Sequence, residues 1–472
     1  MAQTIAVIGG GVSGLAAAHR VMELAPNATV NLFEQGSRLG GLIRTDKIGD
    51  CLVEQGPDAI LTEKPAALEL AKRIGLESAI LPTNNKDRGA FIIHHGRLER
   101  IPEGFSMMGP SKFGPILRSR ILSPLGKLRM GWEMCLPRGA SADEQSVGEF
   151  VRRRFGNEVL ERLAQPLMGG IYGTDPNELS LKSTMPRFLD MEQNHRSVTL
   201  GLRRKRKSAG SSSGVRYGMF ISFRHGVQTL TDSLAVRIGS NATLNAELVE
   251  VERCVNGRLK LAVRHAGGAV VQHQDEFDAV VLAIPAKCIA KTMENFSPML
   301  AQALGQFTYG STATVTYAFP ENSITHALNG FGFVVPAREG RRILASTWAS
   351  KKFAHRAPAG TALIRAFFGG DGGEALLKQE DDDLVKIGLQ ELDTLLGVQQ
   401  PPLWSSVARH SGAMPRYTLG HSKRVEQVSA LLSKQPGIFF AGNSLYGVGI
   451  PDAIRSGESA AEQALAHADK RT

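Results

Sequence analysis

Residues 4–14 read TIAVIGGGVSG, an apolar β-branched run that leads directly into three consecutive glycines. The run predicts a buried strand, and residues 15–24, with alanines and leucines at helical spacing, predict a helix. A second strand is predicted over residues 29–33, and Glu34 follows it directly. The order of strand, GxGxxG turn, helix, strand and acidic residue predicts a βαβ unit that binds a dinucleotide.

The three glycines of the GxGxxG pattern each have a separate physical role. Gly9 permits the tight turn, Gly11 lets the backbone approach a pyrophosphate, and Gly14 lets helix and strand pack closely. The amino terminus of the helix adds free N–H groups and the positive end of its dipole, and Glu34 can accept hydrogen bonds from a ribose diol. The residues predicted to bind the cofactor here are Gly9, Gly10, Gly11, Val12, Ser13, Gly14 and Glu34.

Two stretches after Glu34 favour FAD over NAD. Residues 35–41 (QGSRLGG) resemble the R-x-G-G stretch of glutathione-reductase-type FAD enzymes, which NAD dehydrogenases lack. Residues 54–58 (EQGPD) resemble the segment of amine oxidase-like flavoproteins that passes over the flavin. The contacts to FAD that this resemblance implies come from Gln35, Arg38, Gly40, Gly41, Leu42, Gly56, Pro57, Asp58 and Ala59.

The carboxyl end supplies the last part of the predicted site. Residues 437–441 predict a strand, and a helix is predicted over about 452–467 after a glycine-rich loop. In the flavoproteins that the chain resembles, this strand, loop and helix close the FAD site beside the flavin ring. The resemblance adds to the predicted FAD contacts Asn443, Val448, Gly449 and Ile450, and also Val249.

The composition limits the class of protein to which the chain can belong and the partners it can bind. Its 472 residues are 42% hydrophobic and 21% charged, which is ordinary for a globular protein. The net charge of +10 fits an anionic substrate, a nucleic acid or an acidic membrane surface. The four cysteines are far apart and have no CxxC spacing, so we expect neither a metal site nor disulfides. Since no apolar run approaches the roughly 20 residues of a membrane span and no signal peptide is visible, we expect a cytoplasmic protein.

Glycine and proline punctuation divides the middle of the chain. Because residues 279–285 resemble a strand that these flavoproteins use in their FAD domain, we expect an α/β fold in which a Rossmann-type, glutathione-reductase-like FAD domain is interleaved with an α+β substrate domain and a helical subdomain. Strands are predicted over 244–253, 259–265 and 279–283 in the first of these domains. A second sheet is predicted from 310–319, 332–335, 343–348 and 362–368. The FAD domain is predicted to comprise 1–86, 219–295 and 405–472, the substrate domain 87–93, 172–218 and 296–404, and the helical subdomain 94–171.

Two basic regions leave the question of partners open. Residues 94–171 interleave apolar and basic positions, which fits either a membrane-facing patch or a helical core with a solvated basic face. Residues 203–207 (RRKRK) precede a small-residue stretch over 208–214. Because no aromatic residues are interleaved there, we expect a flexible surface loop and no nucleic-acid partner.

Beyond its FAD motifs, the chain resembles the oxygen-dependent porphyrinogen oxidases of heme biosynthesis along nearly its whole length. The stretches that carry this resemblance are 148–156 (GEFVRRRFG), 167–181, 192–202, 220–230, 330–336 (GFGFVVP) and 414–421 (MPRYTLGH), of which the last is the most specific. The resemblance implies that FAD accepts hydride from a methylene bridge of a porphyrinogen and that dioxygen reoxidises the flavin, giving hydrogen peroxide. The implied oxidation requires no strong base from the protein.

The family has a protoporphyrinogen branch and a coproporphyrinogen III branch, and this chain resembles the second more closely. The stretches 109–122, 346–358 and 447–452 favour it. Mitochondrial-type members place a substrate-binding arginine directly before an aromatic-aliphatic strand, but here Ala90 precedes Phe91. Arg88 is the nearest arginine, and Arg97 and Arg100 are alternatives, so the anchor for the propionates stays open. Protoporphyrinogen IX is the alternative substrate.

The resemblance also implies the residues that line the substrate cleft. Phe331, Val334 and Phe367 would sandwich the macrocycle, or they are ordinary core residues. A turn over 169–173, with Gly170 and Tyr172, would place a backbone carbonyl against the pyrrole N–H groups, or it is a plain turn. His410 and His421 are given no role. Contact with neighbouring enzymes of the pathway follows from pathway logic alone, and no oligomeric state is predicted.

Amine oxidases and carotenoid desaturases share the same FAD frame, so the fold alone does not choose the reaction. Amine oxidases with covalent flavin use a cysteine near the carboxyl end, and no cysteine follows Cys288 here. Many amine oxidases also place a lysine near the flavin, on a strand that matches 310–317, and that run contains none. An amine oxidase-like activity is therefore the more remote alternative.

Overall fold

The structure is a computed structural model that describes residues 3–86, 88–139, 144–210, 219–370 and 372–471. Its first sheet is parallel throughout. The strands in spatial order are Ala242–Thr243, Thr29–Phe33, Thr4–Ile8, Ala279–Leu282 and Ile438–Phe440. Both faces of this sheet are covered, which is why the apolar run at the amino terminus shows no alternation of polar residues.

Two helices cover the face of the sheet that matters for the glycine turn. The first helix, Val12–Leu24, packs along the last helix, Ile450–Asp469. A Cβ at Gly457 would lie 2.1 Å from the carbonyl oxygen of Ser13, so the two helices approach at backbone distance there. The carboxyl-terminal helix is thereby fixed beside the start of the first helix. The helices Ala66–Arg73 and Gln228–Ile238 join the same layer.

The second sheet has seven strands. In spatial order they are Trp404–Pro415, Tyr309–Pro320, Thr361–Gly369, Ala345–Trp348, Gly332–Val334, Phe91–His94 and Arg97–Arg100. One face buries Phe333, Ala366 and Phe368 in a core that the helix Asp381–Leu396 shares. The other face carries Arg365, whose guanidinium donates to the carbonyl oxygens of Gln55 and Gly56.

A third unit is helical. Its helices of five or more residues are Gly114–Arg118, Pro124–Gly131, Val147–Phe155, the π-helical Leu160–Ala164, Gln165–Tyr172, Pro186–His195 and Val198–Gly210. They enclose one apolar cluster and a buried ion pair between Arg154 and Glu133. Because a buried charge without a partner is costly, this pair ties Val147–Phe155 to the short 3-10 turn Trp132–Cys135.

Smaller strands connect these units. They are the hairpin Thr45–Ile48 with Cys51–Glu54, the set Ile60–Leu61, Phe220–Phe223 and Ile80–Pro82, the set Ala246–Arg253, Leu259–His265 and Val270–Gln272, and the pair Phe105–Ser106 with Gly109–Pro110. The remaining helices of four or more residues are Leu181–Thr184, Ala286–Thr292, Pro298–Gly305, Ala349–Lys352 and His421–Leu432.

The strands and helices predicted for the βαβ unit, the second sheet and the carboxyl end are confirmed to within a few residues. Three local predictions are wrong. Residues 97–110 form short strands instead of helix, and 169–172 complete a helical turn that Gly173 ends with φ +57°. Residues 203–210 continue a helix, since Arg and Lys are good helix formers and Val198 and Leu202 anchor it in the core. The rest of the predicted loop lies outside the described residues.

The grouping into domains differs from the predicted one at two places. The strand Trp404–Pro415 pairs within the second sheet, although residues from 405 onward were expected in the FAD domain. The helices between 181 and 206 contribute to the apolar cluster of the helical unit, although they were expected in the substrate domain. None of the described helices is long and apolar enough to cross a membrane.

Candidate FAD site and substrate cleft

The glycine-rich turn is as crowded as its spacing predicts. Gly9 has φ +104°, and a Cβ there would lie 2.6 Å from the Ala283 carbonyl oxygen. A Cβ at Gly14 would lie 1.8 Å from the Gly9 oxygen, so any side chain would force helix and strand apart. Gly11 differs, because a Cβ there would meet nothing within 4 Å. The turn is therefore packed on its inner side and open in front of Gly11.

Glu34 closes the turn from the second strand. Its carboxylate accepts hydrogen bonds from the backbone N–H of Gly10 at 2.6 Å and of Gly36 at 2.7 Å. Both acceptor contacts fix the carboxylate at the end of the strand while leaving lone pairs for a ligand. Gln35 beside it is exposed, and Val249 lies half-buried at a bulge in a strand whose Ala246 N–H bonds to the Glu34 carbonyl.

Arg38 organises the following loop rather than pointing at open space. Its guanidinium donates to the carbonyl oxygens of Leu39, Ile43 and Gly41 at 3.0, 3.1 and 2.6 Å. The loop is in turn tied to the turn by the Gly40 N–H, which donates to the Gly10 oxygen at 2.8 Å. As a result Gly41 lies against Gly11, where a Cβ on Gly41 would be 3.0 Å from the Gly11 Cα.

These features fit a dinucleotide. The first helix begins at Val12, and its N-cap residue Gly11 has no side chain to cap it, so the N–H groups of the first turn keep their hydrogen-bonding capacity. The space in front of Gly11 together with the helix dipole forms a cradle for a pyrophosphate. Leu42, which follows Gly41 in this loop, is 46% exposed. Gly56 packs directly against Leu42, since a Cβ at Gly56 would lie 1.9 Å from the Leu42 carbonyl oxygen.

The loop after the last strand is held by three side chains from elsewhere in the chain. Tyr417 donates its hydroxyl proton to the Asn443 carbonyl at 2.6 Å, and its ring stacks on His421 at 4.0 Å between centroids. The His421 Nε2 atom lies 3.0 Å from the Leu445 carbonyl oxygen. Ser444 and Tyr309 share a hydrogen bond of 2.9 Å. The loop that carries Val448, Gly449 and Ile450 therefore starts from a fixed base.

The segment 55–58 is clamped against the second sheet. Arg365 donates to the Gln55 and Gly56 carbonyl oxygens at 2.8 and 2.7 Å, and His410 Nε2 lies 2.8 Å from the same Gln55 oxygen. Because a carbonyl oxygen only accepts, Nε2 of His410 carries the proton. Asp58, which with Pro57 and Ala59 completes this segment, pairs with Lys352 at 2.9 Å.

Buried charges surround this segment. Burial by itself would raise the pKa of Asp58, but Lys352 and Arg365 beside it hold the pKa below its usual range. Burial raises the pKa of Glu54 against the opposing charge of Arg356, which lies 3.5 Å away. Two carboxylates thus lie among three cations, and removing either carboxylate would leave cations without their partner.

A row of apolar side chains lies beside Arg365 on the same face of the second sheet. Val334 pairs with Ala345, and Ala345 pairs with Phe367, so their side chains form one row across three strands. Phe367 is two positions after Arg365 and therefore lies on the same face, with its ring 4.9 Å under the guanidinium. All three side chains of the row are only half-buried. This row is a flat apolar wall next to the clamped segment.

Tyr172 faces the same region from the helical unit. It packs against the apolar cluster that Val334 and Val448 also touch, so predicted substrate residues and a predicted flavin-loop residue converge. Burial raises the pKa of Tyr172 to about 12, and nearby Arg187 and Asp452 modify it in opposite directions. The phenol is thus a neutral hydrogen-bonding group at ordinary pH.

The other predicted substrate residues are placed less uniformly. Gly170 is exposed in the last turn of its helix, and a Cβ there would meet nothing within 4 Å. Phe331 is half-buried just before its strand. Arg88 is exposed and bonds to Asn85, while Arg97 is exposed on the edge strand, two strands from Val334. The structure does not bring either arginine into contact with the apolar row.

Several residues of the site were not predicted from the sequence. Arg365, Lys352, Tyr417 and Tyr309 were not considered, and His410 and His421 were given no role. One signal was available: Arg365 interrupts an otherwise apolar strand, and a buried charge inside a strand implies a partner. Among the described residues, no cluster of three or more His, Cys, Asp or Glu side chains could hold a metal ion.

Comparison with known proteins agrees with this geometry. The family described as flavin containing amine oxidoreductase matches residues 12–465. Coproporphyrinogen III oxidase of Bacillus subtilis (strain 168) is 33% identical, covering 98% of this chain and 98% of its own. Protoporphyrinogen oxidase 2 of Arabidopsis thaliana is 27% identical, covering 98% of this chain and 94% of its own.

A crystal structure from Exiguobacterium sp. 255-15, which its description assigns provisionally to the protoporphyrinogen oxidases, superposes with a TM-score of 0.85. It has 29% identity and 98% coverage of both chains. The fold and the site define a flavin-dependent oxidoreductase. The chain belongs to the flavin containing amine oxidoreductase family, and the predictions of FAD as its cofactor and of a Rossmann-type α/β fold are confirmed.

Proposed function

We propose that this protein oxidises coproporphyrinogen III to coproporphyrin III with FAD and dioxygen. The observation that carries the proposal is the near full-length similarity to the Bacillus subtilis coproporphyrinogen III oxidase at 33% identity. The site is compatible with it, because a flat apolar row lies beside the clamped segment, which resembles the segment that passes over the flavin in related flavoproteins. Bound FAD would supply a hydride acceptor at N5 that dioxygen regenerates, with hydrogen peroxide as by-product.

The chain's own part in this reaction is to position the substrate and exclude water. The row of Val334, Ala345 and Phe367 would support one face of the macrocycle, with Phe331 at its margin. The last turn of the helix that ends at Tyr172 leaves backbone carbonyls for pyrrole N–H groups, and Gly170 leaves room for close approach. Since the phenol of Tyr172 stays protonated, it would orient the substrate rather than abstract a proton.

The predicted FAD contacts also enter here as proposals. We assign the pyrophosphate to the residues 9–14, the ribose to Glu34, and the flavin ring to the segment 56–59 and the loop 443–450. Arg88 and Arg97 remain proposed anchors for propionates at the rim. For the domains, we propose the predicted three-part division, with the strand Trp404–Pro415 assigned to the substrate domain and the helices over 181–206 to the helical unit.

Protoporphyrinogen IX is the second candidate substrate, because the Arabidopsis protoporphyrinogen oxidase also matches 98% of the chain. The test is anaerobic bleaching of the yellow FAD-bound protein by each porphyrinogen in parallel, followed by air and porphyrin fluorescence. We expect faster bleaching by coproporphyrinogen III and formation of coproporphyrin III. Faster bleaching by protoporphyrinogen IX reverses the choice of substrate. Bleaching by neither excludes both porphyrinogens and favours an amine oxidase-like reaction.

We also propose that the helical unit associates peripherally with an anionic membrane surface, without spanning the membrane. Leu125, Leu128 and Trp132 lie on one helical face and are 78, 71 and 62% exposed. Leu117, 63% exposed, and the exposed Arg118 lie on the neighbouring helix. Apolar side chains beside a cation suit an acidic lipid surface.

Vesicle flotation tests this contact. The wild type should float with vesicles that contain phosphatidylglycerol and less with phosphatidylcholine alone. The double variant L125S/L128S should lose flotation, whereas V236S, which replaces a valine that is 81% exposed elsewhere, should not. Equal flotation of the wild type and the double variant would contradict the proposal.

A further inference from the structure

Glu63 lies at a junction between the FAD domain and the helical unit. Its carboxylate accepts a hydrogen bond of 2.6 Å from Arg187, on the helix Pro186–His195, and it also pairs with Lys205, on the next helix. Glu63 itself follows the short strand Ile60–Leu61, which continues the clamped segment. One carboxylate from the FAD domain thus neutralises two cations of the helical unit.

This cluster borders the substrate cleft. The Tyr172 hydroxyl lies 3.4 Å from the Thr184 carbonyl oxygen, three residues before Arg187. A Cβ at Gly447, in the proposed flavin loop, would lie 2.5 Å from a carboxylate oxygen of Asp452. Asp452 belongs to the first turn of the last helix and pairs with Lys64, the neighbour of Glu63. Glu63, Arg187 and Lys205 therefore stand at the mouth between the helix end at Tyr172 and the proposed flavin loop.

The three charged groups are accessible and exchangeable. The side chains of Glu63, Arg187 and Lys205 are 40, 38 and 54% exposed. Ion pairs with that exposure contribute little to stability, because water solvates the separated charges almost as well. A second carboxylate could therefore replace Glu63 without a large cost.

We infer that Arg187 and Lys205 bind a propionate carboxylate of the substrate, and that Glu63 occupies this carboxylate site until the substrate displaces it. This inference rests on the proposed porphyrinogen oxidase function. It makes Arg187 and Lys205 specificity-determining residues, and it makes Glu63 a competitor built into the chain. The substrate class favoured is a tetrapyrrole with many carboxylates, since coproporphyrinogen carries four and protoporphyrinogen two.

Steady-state kinetics with coproporphyrinogen III test the exchange. Arg187→Gln should raise KM by about tenfold, the effect of losing one charge-assisted hydrogen bond, with kcat changed less than about twofold. Glu63→Gln should lower KM, because the internal competitor loses its charge while its size is kept. Arg203→Gln, on the helix of Lys205, is the matched control and should leave both constants unchanged.

Two outcomes overturn the inference. One is an unchanged KM in Arg187→Gln, and the other is an unchanged or higher KM in Glu63→Gln. Equilibrium binding of coproporphyrin III, measured by its fluorescence, gives a second readout that needs no turnover and should show the same order of affinities. If the wild type oxidises neither porphyrinogen, the proposed function fails. If it oxidises one and the variants match it in KM and in binding, only the carboxylate exchange fails.

Discussion

Arg365 Nη2 and His410 Nε2 each lie 2.8 Å from one atom, the carbonyl oxygen of Gln55. The two side chains come from non-neighbouring strands of the second sheet, with Tyr309–Pro320 between them. Two donors on one oxygen, and a third bond from Arg365 to the Gly56 oxygen, fix the backbone of the segment proposed to lie over the flavin. The second sheet therefore fixes the backbone of Gln55 and Gly56.

Replacing Arg365 should damage this joint severely. In Arg365→Leu the Gln55 and Gly56 oxygens lose donors and Asp58 loses a neighbouring cation, so we expect the free energy of unfolding to fall by about 3 kcal/mol. Urea denaturation of the FAD-loaded protein measures it. Arg264→Leu, which breaks a pair of exposed side chains with Glu247, should cost less than about 1 kcal/mol. Similar losses in both variants would contradict a structural role of the clamp.

The same joint should make stability sensitive to mild acid. Burial lowers the pKa of His410 in the folded protein, the bond to Gln55 opposes that shift, and Arg365 adds to it. The unfolded chain binds a proton near pH 6.5 while the folded protein resists it, so this contribution is present above that pH and is lost as the pH falls below it.

His410→Gln keeps an N–H donor but removes the titration. We therefore expect the free energy of unfolding of the variant to decline less steeply than that of the wild type between about pH 7.5 and 5.5. The two slopes should differ by no more than the uptake of one proton on unfolding would produce. Denaturation curves at several pH values give both slopes. Parallel slopes would show that His410 does not contribute to the acid sensitivity.

The βαβ unit could be predicted from the sequence because its information is local. A turn, two strands and a helix lie within residues 4–34, and the glycines indicate where the backbone turns tightly or packs too closely for a side chain. The clamp on Gln55 could not, because Arg365 and His410 are more than 300 positions away and only sheet pairing brings them together. The helix end at Gly173 was mistaken for a turn because glycines at 169, 170 and 173 satisfy both descriptions.

Tyr417 should matter more for FAD than for the fold. Tyr417→Phe removes the hydroxyl that holds the Asn443 carbonyl at 2.6 Å but keeps the ring that stacks on His421. We expect the dissociation constant for FAD to rise by about fivefold, as one well-made hydrogen bond contributes on the order of 1 kcal/mol. Fluorescence titration of the apoprotein with FAD measures it. Tyr317→Phe is the control, because it also removes a hydroxyl that donates to a backbone carbonyl, that of Val385 at 2.7 Å in the core of the second sheet, and it should bind FAD as the wild type does.

Gly11 and Gly14 should respond differently to the same added methyl group. Gly11→Ala places a Cβ in open space at φ −70°, so the apoprotein should keep its melting temperature. That space is where we place the pyrophosphate, so FAD affinity should fall by at least about a hundredfold because the backbone can no longer approach it.

Gly14→Ala places its Cβ 1.8 Å from the Gly9 oxygen, so the apoprotein itself should lose stability, by about 2 kcal/mol or more. Thermal melts without FAD and titrations with FAD separate the two effects. Tight FAD binding by Gly11→Ala would show that the phosphates lie elsewhere, whatever the result for Gly14→Ala. Since the two substitutions are chemically identical, the difference between them measures the cofactor cradle apart from the packing of helix on strand.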